Sequence, residues 1–241
     1  MKHKKRWLIV LCVLVVLSAA CFIYVETYSR AGQEAQTVLQ APAEGVTIEE
    51  SKDRIVFTPR EPVAGLIFYP GGKVEYTAYA PLMEELAQQG ILCVLLHMPC
   101  NLAILDMSAG EGIARQYPEL DWYIGGHSLG GVAAASYAAG EKESFAGLIL
   151  LASYANQDIS HMDMGVLSIF GTQDGVMNRN SYEKNRVNLP ADAVEYVIEG
   201  GCHAGFADYG PQKGDGEPAV SGQEQRQRTA REIARFITSE Q

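Results

Sequence analysis

Gly126-His127-Ser128-Leu129-Gly130 is the stretch that most constrains what this chain can fold into. It matches G-x-S-x-G. An apolar, β-like segment, Trp122-Tyr123-Ile124-Gly125, precedes it, and a small, helix-forming run from Gly131 to Ala139 follows. A strand that turns sharply into a helix holds its serine in a strained conformation at the tip of a sheet. Glycines at 126 and 130 let the two backbones approach closely. An ordinary Gly-rich turn lacks the flanking strand and helix, so Ser128 is the candidate nucleophile.

A serine hydroxyl needs a base, and the base needs an orienting acid. In enzymes built on such a turn the chain order is Ser, then Asp or Glu, then His. The chain has five histidines. His127 occupies the variable position of the turn and is expected to point away from the base position. His97 and His161 leave no room for an acid in the required order. His203 does, in a Gly-rich loop after the alternating segment 193–198. For the acid, Asp174 follows the apolar run Val166 to Gly171, read as a buried strand, and sits in a turn at that strand's carboxyl end, where open α/β sheets place their sites. Asp158 and Asp163 fall in an irregular segment before the strand and read as surface charges. Transition-state charge on a carbonyl oxygen needs fixed N–H donors. Leu129, directly after the nucleophile, is one. Gly72, with Lys73 next in line, is the candidate for the other, in the loop Pro70-Gly71-Gly72-Lys73 after the strand-like run 64–69.

Together these residues resemble the α/β-hydrolase family, and more closely a compact branch related to dienelactone hydrolases, with serine as nucleophile. The likeness rests on Tyr69-Pro70-Gly71-Gly72-Lys73-Val74-Glu75, on Met98-Pro99-Cys100-Asn101-Leu102-Ala103, on the turn at Ser128 and on Gly200-Gly201-Cys202-His203-Ala204-Gly205-Phe206. It spans about residues 46–238 and implies cleavage of an ester or related acyl bond. Fold alone does not choose the substrate.

The coarse pattern agrees with an α/β fold, a mostly parallel sheet with helices on both faces. A first hairpin is expected over 46–58, turning at Ser51-Lys52-Asp53. Strands are expected at 91–96 and 146–151, and helices at 76–89, 102–116, 180–187 and 222–238. The interval between Leu151 and Val166 is too short for a large lid, which predicts an open site acting on dissolved substrates.

The N-terminus addresses location. Residues 1–6 are basic and 7–25 carry no charge, close to the 20 or so apolar residues that cross a bilayer core. The expected organisation is a basic cytoplasmic tail at 1–6, a signal-anchor at 7–25, a linker at 26–44 and one catalytic domain at 45–241 outside the cytoplasm, at the cell membrane. A cleaved signal peptide and a lipidation box at Ser18-Ala19-Ala20-Cys21 are the alternatives, and both share the outward-facing domain. Four of the 19 basic residues precede the apolar run, so the rest carries 15 basic against all 29 acidic residues, a net charge of −14. Such a surface argues against nucleic-acid partners and for a small neutral or cationic acyl substrate. No cofactor and no metal are expected, since no cysteine or histidine spacing fits a metal site. Cys100 and Cys202 both border the expected site; free thiols are the default and a disulfide the alternative.

Two function classes follow. One is a membrane-anchored serine hydrolase, carboxylesterase-like, with thioesterase, peptidase and acyltransferase variants open. The other is a catalytically silent, membrane-tethered binding protein that keeps the fold.

Overall fold

The computed structural model describes residues 2–140 and 143–239. Met1, at the head of the expected basic tail, lies outside the described residues, as do the side chains of 2–6 and, within the expected anchor, of 8 and 9. Eight strands form one sheet in the order β1-β2-β4-β3-β5-β6-β7-β8. The expected hairpin is β1 (Val46–Glu50) and β2 (Arg54–Pro59), paired antiparallel. From β3 (Ala64–Tyr69) onward β4 (Ile91–Leu96), β5 (Asp121–His127), β6 (Gly147–Leu151), β7 (Gly165–Gly171) and β8 (Val194–Ile198) run parallel.

Burial explains the patterns. β3, β4 and β6 are buried at every residue because helices cover both faces, so their sequences read as unbroken apolar runs. β2 alternates, and β8 is an edge strand with Val194 and Val197 exposed. Along β3, Leu66 and Phe68 enter one core with Tyr123, Ile233 and Phe236, while Ile67 and Tyr69 enter the other with Ile124 and Ala133 to Ala135. This is the period-2 consequence of the pleat.

The helices are α1 (Lys2–Glu26), α2 (Gln33–Gln40), α3 (Ala80–Ala87), α4 (Leu129–Ala138), α5 (Arg179–Asn185) and α6 (Gly222–Ser239). Three expectations change. The helix expected at 76–89 is a 3-10 turn, Tyr76–Tyr79, followed by α3, with Pro81 seated in its first turn where a missing N–H costs nothing. The helix expected at 102–116 is a chain of short 3-10 turns. The buried Tyr69 hydroxyl takes that segment's backbone for itself, donating to Met107 O at 2.7 Å and accepting from Gly110 N at 3.2 Å. Within the segment expected as a linker, α2 packs on the domain with Ala35 and Val38 buried, and Asp208 Oδ2 accepts from Ala35 N at 2.9 Å.

α1 leaves its apolar side chains exposed, among them Trp7, Leu11, Leu14, Leu17 and Phe22. Among the described residues, however, no helix is long and apolar enough to cross a membrane. The span expected at 7–25 is therefore not established by the fold.

Candidate active site

β5 ends at His127, and α4 begins at Leu129. Ser128 between them has φ 53 and ψ −123, a conformation that a side chain adopts only under strain, at a cost of about 1–3 kcal/mol. Neighbours hold it there. Ser128 N donates to Leu151 O at 2.9 Å, and the Ser153 hydroxyl donates to Ser128 O at 2.7 Å. A Cβ at Gly130 would run into the Tyr69 and Pro70 carbonyls, so only glycine lets the helix start this close to β3. Ser128 itself stays half-buried and reachable.

Asp174 and His203 come together from loops after β7 and β8. His203 Nδ1 lies 2.9 Å from Asp174 Oδ2, and both side chains are sealed from solvent. Asp174 Oδ1 accepts from Val176 N at 2.9 Å and Met177 N at 2.8 Å. Burial raises the pKa of this carboxyl, but the His203 hydrogen bond and charge, together with the two backbone donors, outweigh it and hold the group below its ordinary value. Asp158 accepts from Ser160 N and Oγ on the surface, and Asp163 is exposed, so neither joins the pair.

Two clamps on the His203 loop had no sequence signal. Asp215 Oδ1 accepts from His203 N at 3.0 Å and Gly175 N at 3.2 Å, and its Oδ2 accepts from Ala204 N at 2.8 Å. One carboxylate thus ties the acid loop to the base loop. Gln225 of α6 brackets Cys202, accepting from its N–H at 3.0 Å and donating to its carbonyl at 2.8 Å.

His127 departs from expectation. Rather than standing aside, its ring is buried against that of His203, with centroids 4.5 Å apart, and against Phe206 at 5.4 Å. Its Nδ1 lies 2.7 Å from the Tyr79 hydroxyl, which accepts from Gly71 N at 3.0 Å. The Tyr79 proton is therefore assigned to His127 Nδ1, leaving the imidazole proton on Nε2, which has no hydrogen-bond partner among the described residues. Burial, followed by the neighbouring His203, holds the His127 pKa well below its usual value, so the ring is neutral.

The donor loop sorts itself by elimination. Gly71 N–H is used by Tyr79, and Lys73 N–H by Asn101 O at 2.8 Å. Among the described residues, Gly72 N–H has no acceptor, nor does Leu129 N–H at the start of α4. A Cβ on Gly72 would come within 2.8 Å of the Leu129 side chain, so the two residues are close neighbours.

Cys100 is exposed and Cys202 buried, and both are free thiols. Among the described residues, no group of three or more His, Cys, Asp and Glu is placed to hold a metal ion.

A mostly parallel sheet with a strained serine between strand and helix, and an Asp–His pair on the loops of later strands, defines an esterase-type α/β-hydrolase architecture. The chain belongs to the α/β hydrolase family, whose model matches residues 65–227. No curated protein sequence matches it. Among solved structures, a dienelactone hydrolase from Anabaena variabilis aligns with TM-score 0.60 at 14% identity, over 81% of this chain and 99% of that one. Carboxyl esterase 2 from Tuber melanosporum aligns with TM-score 0.61 at 10% identity, over 88% and 91%. A monoglyceride lipase from Saccharomyces cerevisiae aligns with TM-score 0.57 at 11% identity, over 83% and 98%. At these identities the likeness is one of fold.

Proposed function

We propose that this chain is a serine hydrolase that cleaves a carboxylic ester or related acyl bond through an acyl-enzyme. The observation that carries the reading is the strained Ser128 at the end of β5, whose chain neighbour His127 packs its ring on His203 of the buried His203–Asp174 pair. Ser128 Oγ attacks the carbonyl carbon while its proton passes to His203 Nε2. Asp174 accepts from His203 Nδ1–H and fixes the tautomer that leaves Nε2 free to take that proton. The N–H groups of Leu129 and Gly72 receive the oxyanion, each contributing about 10²–10³ in rate. The proton on His203 then goes to the departing oxygen. Water, activated by the same histidine, frees the acid and restores Ser128.

A catalytically silent binding protein would have no use for a strained serine, a sealed Asp–His pair and unsatisfied N–H donors in one place, and this combination favours the enzyme. The test is turnover of a panel of acyl esters, thioesters and amides by the full chain in detergent, beside Ser128→Ala. The variant is expected to fold and to lose about 10³-fold or more in kcat for whichever substrate class is turned over. Equal turnover by both would refute the assignment.

We further propose that α1 anchors the enzyme in the cell membrane with the catalytic domain outside the cytoplasm. What supports this is the uncharged run 7–25 behind a basic start, and the exposure of its apolar side chains from Val10 to Tyr24.

A further inference from the structure

Outside α1, Ile104, Leu105 and Met107 are left 50%, 57% and 42% exposed, three large apolar side chains within four residues. They follow directly on the residues that flank the donor loop. The preceding residue pair brackets the donor loop: Asn101 O accepts from Lys73 N at 2.8 Å, and the Leu102 side chain lies 3.6 Å from where a Cβ of Gly72 would stand. Ala103–Leu105 packs against α4, the helix that starts at Leu129.

The same segment meets the end of α1. α1 touches the turn Pro99–Asn101. Lys73 Nζ donates to Val25 O at 3.3 Å and also to Tyr24 O, and the ammonium stands 4.3 Å over the Tyr24 ring. Ser29 is then bonded to the donor loop on both sides: its N–H donates to Lys73 O at 2.8 Å, and its carbonyl accepts from Glu75 N at 2.8 Å. From Glu26, the last residue of α1, to Ser29 the chain reaches only about 10 Å. The headgroup layer on each side of a bilayer core is about 5–8 Å deep. A site mouth tied this closely to the end of an anchor helix sits at the lipid surface. The local chemistry fits that level. Arg30 stands 4.2 Å over the Tyr28 ring, so two aromatic–cation pairs, Tyr24–Lys73 and Tyr28–Arg30, cluster at the helix end of an otherwise acidic domain. Tyrosines and basic side chains at headgroup depth are what a membrane interface selects.

We propose that the 102–107 rim rests on the bilayer that α1 enters, and that the substrate is an acyl ester of a membrane lipid, drawn from the bilayer across Ile104, Leu105 and Met107 into the site. The inference rests on the hydrolase and anchor readings above and replaces the expectation of dissolved substrates. The short loop between β6 and β7 carries no lid, and delivery from the bilayer needs none.

The test uses the full chain in phosphatidylcholine vesicles with two substrates, dissolved p-nitrophenyl acetate and an oleoyl glycerol ester held in the bilayer. Ile104→Asp/Leu105→Asp is compared with wild type, with fluorophosphonate labelling by a water-soluble probe as the check on folding. The expected result is turnover of the bilayer ester reduced about tenfold or more, with acetate turnover and labelling within about twofold of wild type, because charges on the rim oppose only its seating on lipid. A bilayer rate unchanged by the double variant overturns the proposal, as does an equal fall for both substrates in a variant that labels normally. A double variant that neither labels nor turns over is replaced by Met107→Ser, held to the same two criteria. Wild type that neither labels nor hydrolyses either ester refutes the hydrolase reading, and this inference with it. Wild type that floats with the vesicles, labels and cleaves only the dissolved ester overturns this inference alone, whereas wild type that does not float with the vesicles refutes the anchor reading, and this inference with it.

Discussion

The neutral, buried His127 makes acid sensitivity a property of one side chain. Its folded pKa is depressed below the unfolded value of about 6.5, by burial first and by His203 second. Well above pH 6.5 neither state binds the proton and His127 contributes no pH dependence. As the pH falls through 6.5, the unfolded chain takes up a proton that the folded chain refuses, so stability is lost on acidification at up to about 1.36 kcal/mol per pH unit. Between pH 7.5 and 5.0 this amounts to at most about 2 kcal/mol, the limit in which the folded chain takes up no proton at His127. Asp174, also depressed, adds nothing in this window, because its unfolded value near 3.8 lies below it. His127→Asn keeps an acceptor for the Tyr79 hydroxyl and removes the titration. Urea unfolding of the full chain in detergent, followed by far-ultraviolet circular dichroism at pH 7.5 and 5.0, measures both proteins. The variant should be less stable at pH 7.5, because a smaller side chain leaves unfilled space beside Phe206. It should also lose less stability than wild type between the two pH values, by up to about 2 kcal/mol. Equal losses in the two proteins would show that His127 accepts a proton in the folded state and would refute the reasoning.

Other outcomes follow from the same geometry. Asp215→Ala leaves the N–H groups of His203, Ala204 and Gly175 without their acceptor; we expect kcat to fall about tenfold or more with KM little changed, and only part of the rate to return in Asp215→Asn, which keeps one of the two acceptor oxygens, read by steady-state kinetics. No difference between Asp215→Ala and wild type would remove Asp215 from the account. If α1 is an uncleaved anchor facing outward, protease added to intact cells stripped of their wall will degrade the domain while cytosolic markers survive. Protection until the membrane is breached would place the domain inside, and release of a shortened protein would indicate cleavage.

What the sequence made legible was local. The turn at Ser128 could be read because strand, glycines and helix are consecutive, and Asp174 because it follows an apolar strand directly. The alternation of parallel strands and helices carried the fold class. What could not be read was set by contacts distant in the chain. Tyr79 reaches His127 across 48 residues, and Asp215 reaches Gly175 across 40. No periodicity announces such pairs. The segment 102–116 was misread because Leu102 to Leu105 and Ala109 are good helix formers in isolation. The Tyr69 hydroxyl, fixed on β3, instead binds the backbone at Met107 and Gly110 in a turn geometry. Helix within 26–44 is legible in its Gln- and Ala-rich composition, but the docking of α2 on the domain is not. A short Gln- and Ala-rich segment holds its place through Asp208, far away in sequence.

The central claim is that Ser128 is an activated nucleophile. The most direct measurement treats the full chain in detergent with a fluorophosphonate and maps the adduct by peptide mass spectrometry, before and after substitution of His203. The account predicts one adduct, on Ser128, formed rapidly in wild type and slowed by orders of magnitude in His203→Ala. A fully folded wild type with no adduct on Ser128, or labelling of Ser128 at an undiminished rate in His203→Ala, would contradict it.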